Sequence, residues 1–310
     1  MTCPACSRRT PSARAACMYC GAALPVTAIE AAPPQRAIDS TESAFNTIVE
    51  PACDPAPDTR RETALASALK MEAGEARAII ASGKCLPVAR SQTRQEAELI
   101  AALVRTCGLA SRVIADEELK PEMDLIRARR ITIVETGLEI THPGGVLRIA
   151  PEKIGLMVVG LLKSNRIDFT EGKAGLRGGP GNVLDTAEFR SEEMLLDVYT
   201  DSLARSFRIR ADAFDYSGLV APLAFRAELN FESLVVRLEQ VATGATLDRD
   251  FGQVSGLLAR AWPERSKTES RGVKRAGVSL RPVAQSSVVS NNRDQFNRYS
   301  RLMFLTALRQ

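Results

Sequence analysis

Two pairs of cysteines within the first 20 residues constrain this chain more than any other feature. They stand as Cys3-Pro-Ala-Cys6 and Cys17-Met-Tyr-Cys20, with Gly21 next. A Cys-x-x-Cys pair on a tight turn aims two thiolates at one point, and two such turns complete a tetrahedral site with metal–sulfur bonds of about 2.3 Å. Gly21 suits such a turn because the chain after the second pair often needs a positive φ. A segment this short cannot bury a core of its own, so its order is expected to come from the metal. Cys3, Cys6, Cys17 and Cys20 are therefore the expected ligands of one structural zinc ion. The total of seven cysteines is odd and disfavours a disulfide framework, which points to a reducing compartment and a cytoplasmic location. Cys53, Cys85 and Cys107 are scattered and read as ordinary linker or core thiols.

On these residues, 1–24 resembles the compact zinc ribbons found at the N-terminus of many bacterial proteins, a resemblance specific for metal and silent about role. Residues 25–61 follow with Pro25, Pro33, Pro34, Pro51, Pro55 and Pro57 among Ala, Glu, Asp, Ser and Thr. That composition offers too little apolar surface to offset its ordering entropy, so a disordered Pro-rich linker is expected.

From Glu62 the apolar spacing becomes helical: Leu65 and Leu69, then Ala76, Ile79 and Ile80, with Gly74 as the expected break between two helices. Leu86-Pro-Val-Ala89 reads as a strand. Thr93 with Glu96 forms a capping-box pattern ahead of a helix that lines up Ala97, Ile100, Ala101, Val104 and Cys107 and stops at Gly108. Leu109–Ala115 reads as a further strand. The stretch Glu75-Ala-Arg-Ala-Ile-Ile-Ala-Ser, the strand at Val88, and Thr93-Arg-Gln-Glu-Ala-Glu-Leu-Ile followed by Cys107-Gly108 resemble the C-terminal domain of ribosomal protein L7/L12 and the related ClpS adaptor. The resemblance gives 62–120 as a small α/β L7/L12-like domain and implies protein binding, although the strand that opens those domains is not evident.

From Arg129 the period changes to two: Ile131–Val134, Leu138–Ile140 and Val146–Ile149 alternate, separated by Glu135-Thr-Gly137 and His142-Pro-Gly-Gly145. Lys153–Leu162 reads as a buried strand, a glycine-rich excursion over 172–182 interrupts the sheet, and Leu195–Tyr199 and Ser206–Arg210 resume it. Asn230 is placed to cap a helix whose Phe231, Leu234, Val235, Leu238 and Val241 make one buried stripe. This order of short strands closed by one helix resembles a pleckstrin-homology (PH)-like barrel over 128–244. The expected fold class is thus α+β multidomain: a zinc ribbon, a small α/β domain, and an antiparallel PH-like β-barrel with a closing helix. Residues 245–289 read as an irregular basic segment. Residues 290–310 read as a C-terminal helix whose Phe296, Tyr299 and Met303 dock on the body, with Arg293, Arg298, Arg301 and Arg309 around them; the rival reading is a basic helix lying on a membrane or partner.

The net charge of +4 is unevenly spread. Residues 1–24 carry Arg8, Arg9 and Arg14 with no acid, and 264–310 carry ten basic residues against three acids, while the middle is mildly acidic. Nucleic acid, if bound, would meet these basic ends. No apolar run approaches the roughly 20 residues of a membrane-spanning helix, and no signal peptide pattern opens the chain.

The sequence offers no catalytic constellation. His142, the single histidine, stands in a Pro-Gly-Gly turn. Glycines 172, 175, 178, 179 and 181 lack the Gly-Lys-Ser/Thr of a phosphate loop and read as a mobile sheet insertion. Asp212 and Asp215 read as turn formers, and Arg208 and Arg210 as one solvated strand face. The expected function is a non-catalytic regulatory, adaptor or scaffolding protein acting through protein contacts, with nucleic-acid binding through the Arg-rich ribbon and basic C-terminal segment as the alternative.

Overall fold

The computed structural model describes residues 3–8, 17–22, 38, 42–51, 58–119, 125–135, 137–172, 182–219, 223–276 and 281–308, with the backbone alone at 170–172, 182–185, 271–276 and 281–285. The chain is mixed α+β and divides into two units. The first comprises 1–123, 253–263 and 301–310; the second comprises 124–252 and 264–300.

In the first unit the chain runs β1 (Phe45–Val49), α1 (Thr59–Leu69), α2 (Ala73–Ala81), β2 (Leu86–Ser91), α3 (Arg94–Thr106), β3 (Ser111–Ala115) and the single turn α4 (Asp116–Leu119). The strands form an antiparallel sheet in the order β2-β1-β3. The central strand is therefore a piece of the segment expected to be a disordered linker, and the boundary at 61 is corrected. Phe45-Asn-Thr-Ile-Val49 is a short β-prone run, and a strand hydrogen-bonded on both sides offsets the entropy that its Pro-rich surroundings cannot. Its polar side chains are buried with partners. The Thr47 hydroxyl donates to the Ala97 carbonyl at 3.1 Å, which ties β1 to α3. Asn46 donates to Asp116 at 2.9 Å and accepts from the Trp262 indole at 2.7 Å. Arg90 holds the other oxygen of Asp116 at 2.6 Å.

The capping box of Thr93 and Glu96 is present, and Gly108 takes a φ of +77° just past α3. Leu99 is buried on that helix in place of the expected Ile100, which is half-buried. Gly74 is not the break between α1 and α2. It lies inside α2, and the chain turns at Lys70, which takes the left-handed conformation at φ +51°. Cys85 and Cys107 are buried core thiols, and burial pushes both above the usual thiol range. Cys53 lies outside the described residues.

The second unit contains β4 (Ile126–Arg127), β5 (Arg130–Val134), β6 (Gly137–His142), β7 (Gly145–Ile149), β8 (Ile154–Gly172), β9 (Asn182–Thr200), β10 (Phe207–Arg210), α5 (Ala227–Val241) and β11 (Thr246–Asp248). After α6 (Phe251–Leu258) it continues with β12 (Arg265–Ala276), β13 (Arg281–Asn291) and the start of α7 (Arg293–Ala307). The strands β5-β6-β7 form one meander, and a second, curled sheet has the order β12-β13-β8-β9-β10-β4, with β11 added beside β8. The sheet therefore reaches beyond the 128–244 expected for a barrel. Residues 245–289, expected to be irregular, supply β11, α6 and most of two long strands. Their Ser, Thr and Arg content hides an extended backbone, in which β12 pairs with β13 and β13 with β8, more than 100 residues away.

Both faces of this unit's core are apolar. Phe231, Leu234, Val235 and Leu238 of α5 pack in one cluster with Met157, Leu196, Val198, Phe207 and Ile209. Asn230 does not cap α5, which starts at Ala227. Its amide closes on one loop residue instead, accepting from the Ala224 N–H at 2.7 Å and donating to the Ala224 carbonyl at 2.9 Å. At Gly160 on β8 a Cβ would overlap the ring of Phe296, so the glycine is what lets α7 lie close to the strand.

The expected burial of Phe296, Tyr299 and Met303 holds. Arg298 and Arg301 do not ring the helix in solvent, however; they are 4% and 5% exposed. Tyr299 donates to Asp248 at 2.9 Å, and Ser300 donates to Asp197 at 2.6 Å. Among the described residues no helix is long and apolar enough to cross a membrane.

Candidate metal centre

The two cysteine pairs fold into the same turn twice. In the first, the N–H of Ser7 donates to the Cys3 carbonyl at 2.9 Å and the N–H of Cys3 to the Arg8 carbonyl at 3.0 Å. In the second, Gly21 donates to Cys17 at 2.9 Å and Cys17 to Ala22 at 2.8 Å. The residue after each pair takes a positive φ, +58° at Ser7 and +71° at Gly21. Glycine occupies that position in one turn. Serine occupies it in the other, at a cost on the order of 1 kcal/mol that the surrounding structure must offset.

The turns bring the four sulfurs within 4.8 Å of one another. Cys3 and Cys20 approach to 3.7 Å, and Cys6 and Cys17 to 3.6 Å. A sulfur tetrahedron with metal bonds of about 2.3 Å has edges of about 3.8 Å, so the spacing fits a four-thiolate cation site. It is far too long for a disulfide, whose sulfurs stand about 2 Å apart, and all four cysteines are free.

The titration of the set points the same way. The Cys17 thiol is lowered to about 6, first by the backbone N–H of Tyr19, which donates to its sulfur at 3.4 Å. At Cys20 the Ala22 N–H pulls downward, yet the neighbouring sulfurs, Cys6 foremost, outweigh it and the thiol is raised to about 12. Thiols this close cannot all become anions by themselves. A divalent cation at their centre removes the conflict and lets all four bind as thiolates.

Around the sulfurs the described residues of the segment present their largest apolar side chains outward. Met18 and Tyr19, on the tip of the second turn, are each 52% exposed. The Arg8 guanidinium lies over the Tyr19 ring at 5.2 Å, joining the two turns outside the cysteine cluster. Sequence reasoning singled out the four cysteines that the structure brings together and missed this tip. The signal available was that Met18 and Tyr19 are the two residues enclosed between Cys17 and Cys20, where a metal turn points its side chains away from the ion.

The other sites considered in the sequence are engaged elsewhere. His142 sits in the β6–β7 hairpin and accepts from the Gly144 N–H at 3.1 Å. Asp215 accepts from the Ser217 N–H at 2.9 Å, a turn former as expected. Burial raises Asp212 above the usual carboxylate range. Arg208 and Arg210 are not a solvated face: Arg208 grips Asp197 through two bonds of 2.5 and 2.7 Å, and Arg210 grips Glu193 at 2.6 and 2.8 Å. Of the glycine-rich excursion, Gly172 ends β8, and Gly175, Gly178, Gly179 and Gly181 lie outside the described residues. No family model, no curated protein and no solved structure matches the chain.

Proposed function

We propose that the chain is a non-catalytic cytoplasmic adaptor in which Cys3, Cys6, Cys17 and Cys20 bind one structural zinc ion and the metal turn offers Met18 and Tyr19 to a protein partner. The observation that carries this reading is the exposure of those two side chains. Among its described residues the segment buries the Cys3 and Cys17 side chains and turns Met18 and Tyr19 to solvent, with an arginine stacked on the tyrosine. Tyrosine and arginine are the residue types that carry protein interfaces, and an apolar tip rimmed by a charge is their usual setting. Zinc at the site would crosslink two turns that have no core to hold them.

Charge favours a protein partner over nucleic acid. Four thiolates around one divalent cation carry a net charge of −2, which offsets two of the three arginines in residues 1–24. At the other end Arg298 and Arg301 are buried, and Arg265 is 3.5 Å from Asp294. Little net positive charge is then left at the N-terminal segment, and these three arginines of the C-terminal segment are buried or beside a carboxylate.

A photo-crosslinking amino acid in place of Tyr19, introduced in the native host, tests this. The expected result is a discrete protein adduct that disappears when Cys17→Ser is added. Adducts to nucleic acid, or an undiminished protein adduct in the cysteine variant, would count against it.

A further inference from the structure

The long strands of the second unit form an arm with two free edges of opposite charge. Strands β12, β13, β8 and β9 lie side by side over 265–276, 281–291, 164–172 and 182–191. Among the described residues, at one edge β12 pairs with β13 alone; at the other, the part of β9 from Asn182 to Met194 pairs with β8 alone, because β10 joins only at Leu195–Val198. Such edges leave a row of backbone donors and acceptors facing outward. The arm's edge residues are also exposed, at 265–270 on β12 and at 188–192 on β9. Phe189 is 56% exposed.

β12 contains Arg265, Lys267, Arg271, Lys274 and Arg275 against one acid, Glu269. On β9, Glu193 is already held by Arg210, which leaves Asp185, Glu188 and Glu192 against Arg190. The ion pairs within each edge, Lys267 with Glu269 and Arg190 with Glu188, are exposed and weak. Charge on an edge strand ordinarily blocks pairing because an edge meets a copy of itself and like charges oppose. Here β12 against β12 and β9 against β9 are blocked in that way, and β9 against β12 is not.

Strand direction agrees. Each neighbouring pair in the arm is antiparallel, so β9 runs opposite to β12. Placed beside the β12 of another molecule, β9 continues the antiparallel alternation without a break. We infer that the arm binds a second copy of this chain head to tail, the acidic β9 edge of one molecule adding to the basic β12 edge of the next. The two surfaces differ, so the contact is heterologous, and it propagates into a ring or filament.

Sedimentation of the full chain across a concentration series, at about 50 mM and about 500 mM salt, reads this directly. At low salt the mass is expected to rise past that of a dimer, and at high salt the association should weaken by at least roughly tenfold. Two variants, Lys267→Glu with Arg271→Glu and Lys274→Glu, and Glu188→Lys with Glu192→Lys, give chains whose edges are both acidic or both basic. Each alone should stay monomeric with an unchanged circular dichroism spectrum, and an equal mixture should associate again. A wild-type chain that is monomeric throughout, or one that stops at a dimer, would overturn the inference. So would association that survives either charge reversal, or a mixture that stays monomeric.

Discussion

Among the described residues of 3–22, the backbone forms no helix or strand, and the buried apolar groups are the Cys3 and Cys17 side chains. The second unit buries Phe207, Phe231, Leu234, Leu196 and their neighbours in one cluster built from residues more than 100 positions apart. The metal turn depends on a few local residues at a fixed spacing. The sheet unit depends on the register of distant strands. The first should therefore stand or fall with one ion, and the second should respond in graded steps to packing.

Removing the metal is the sharpest way to break that comparison. A strong chelator should abolish the order of the turns at 3–8 and 17–22, read as loss of amide-exchange protection at Ser7 and Gly21. Apparent binding energies of roughly 10–16 kcal/mol for such sites set the scale. Protection on β8 and β9 should not change. Acid acts in the same direction, because thiolates must take up protons as zinc leaves.

Within the sheet unit, Phe231→Ala deletes a ring that is 0% exposed at the centre of the α5 contact. Urea unfolding should show a loss of about 3–5 kcal/mol, with zinc content unaltered. A second handle is alkaline pH. Burial, and then the Asp248 carboxylate, hold the Tyr299 phenol well above its usual range. Its folded pKa is thus raised, and the unfolded chain releases the proton first. Stability should be unchanged below about pH 9 and fall as pH rises past about 10, by up to roughly 1.4 kcal/mol per pH unit for this one group. Tyr299→Phe should flatten that slope.

The smallest effect sharpens the comparison between the two metal turns. Ser7 and Gly21 occupy equivalent positive-φ positions, and nothing lies within 4 Å of a Cβ at Gly21. Ser7→Gly should strengthen zinc binding severalfold, and Gly21→Ala should weaken it by a similar factor, each corresponding to about 1 kcal/mol. Competition with a chromophoric chelator measures both.

The same contrast explains what the sequence disclosed. The clustering of the four cysteines and the Thr93 capping box were legible because each is a short pattern with a local physical cause. Phe45–Val49 was not, because five residues of strand among prolines have no periodicity to read until β2 and β3 flank them. Strands β12 and β13 were hidden for a different reason. Ser266, Thr268 and Ser270 on one face of β12 alternate with Arg265, Lys267 and Glu269 on the other, so neither face is apolar and the period of two carries no hydrophobic signal. The burial of Arg298 and Arg301 was equally invisible, since a charged residue on a helix normally marks its solvent side and only tertiary packing reverses that.

Zinc stoichiometry combined with thiol counting tests the central claim most directly. Native mass spectrometry of the purified full chain should show one zinc per molecule. The thiols of Cys3, Cys6, Cys17 and Cys20 should resist alkylation until chelator is added, and Cys17→Ser should carry no zinc while the second unit unfolds at the wild-type urea concentration. Full zinc in Cys17→Ser, or a metal-free wild-type chain whose four N-terminal thiols all react at once, would contradict the account.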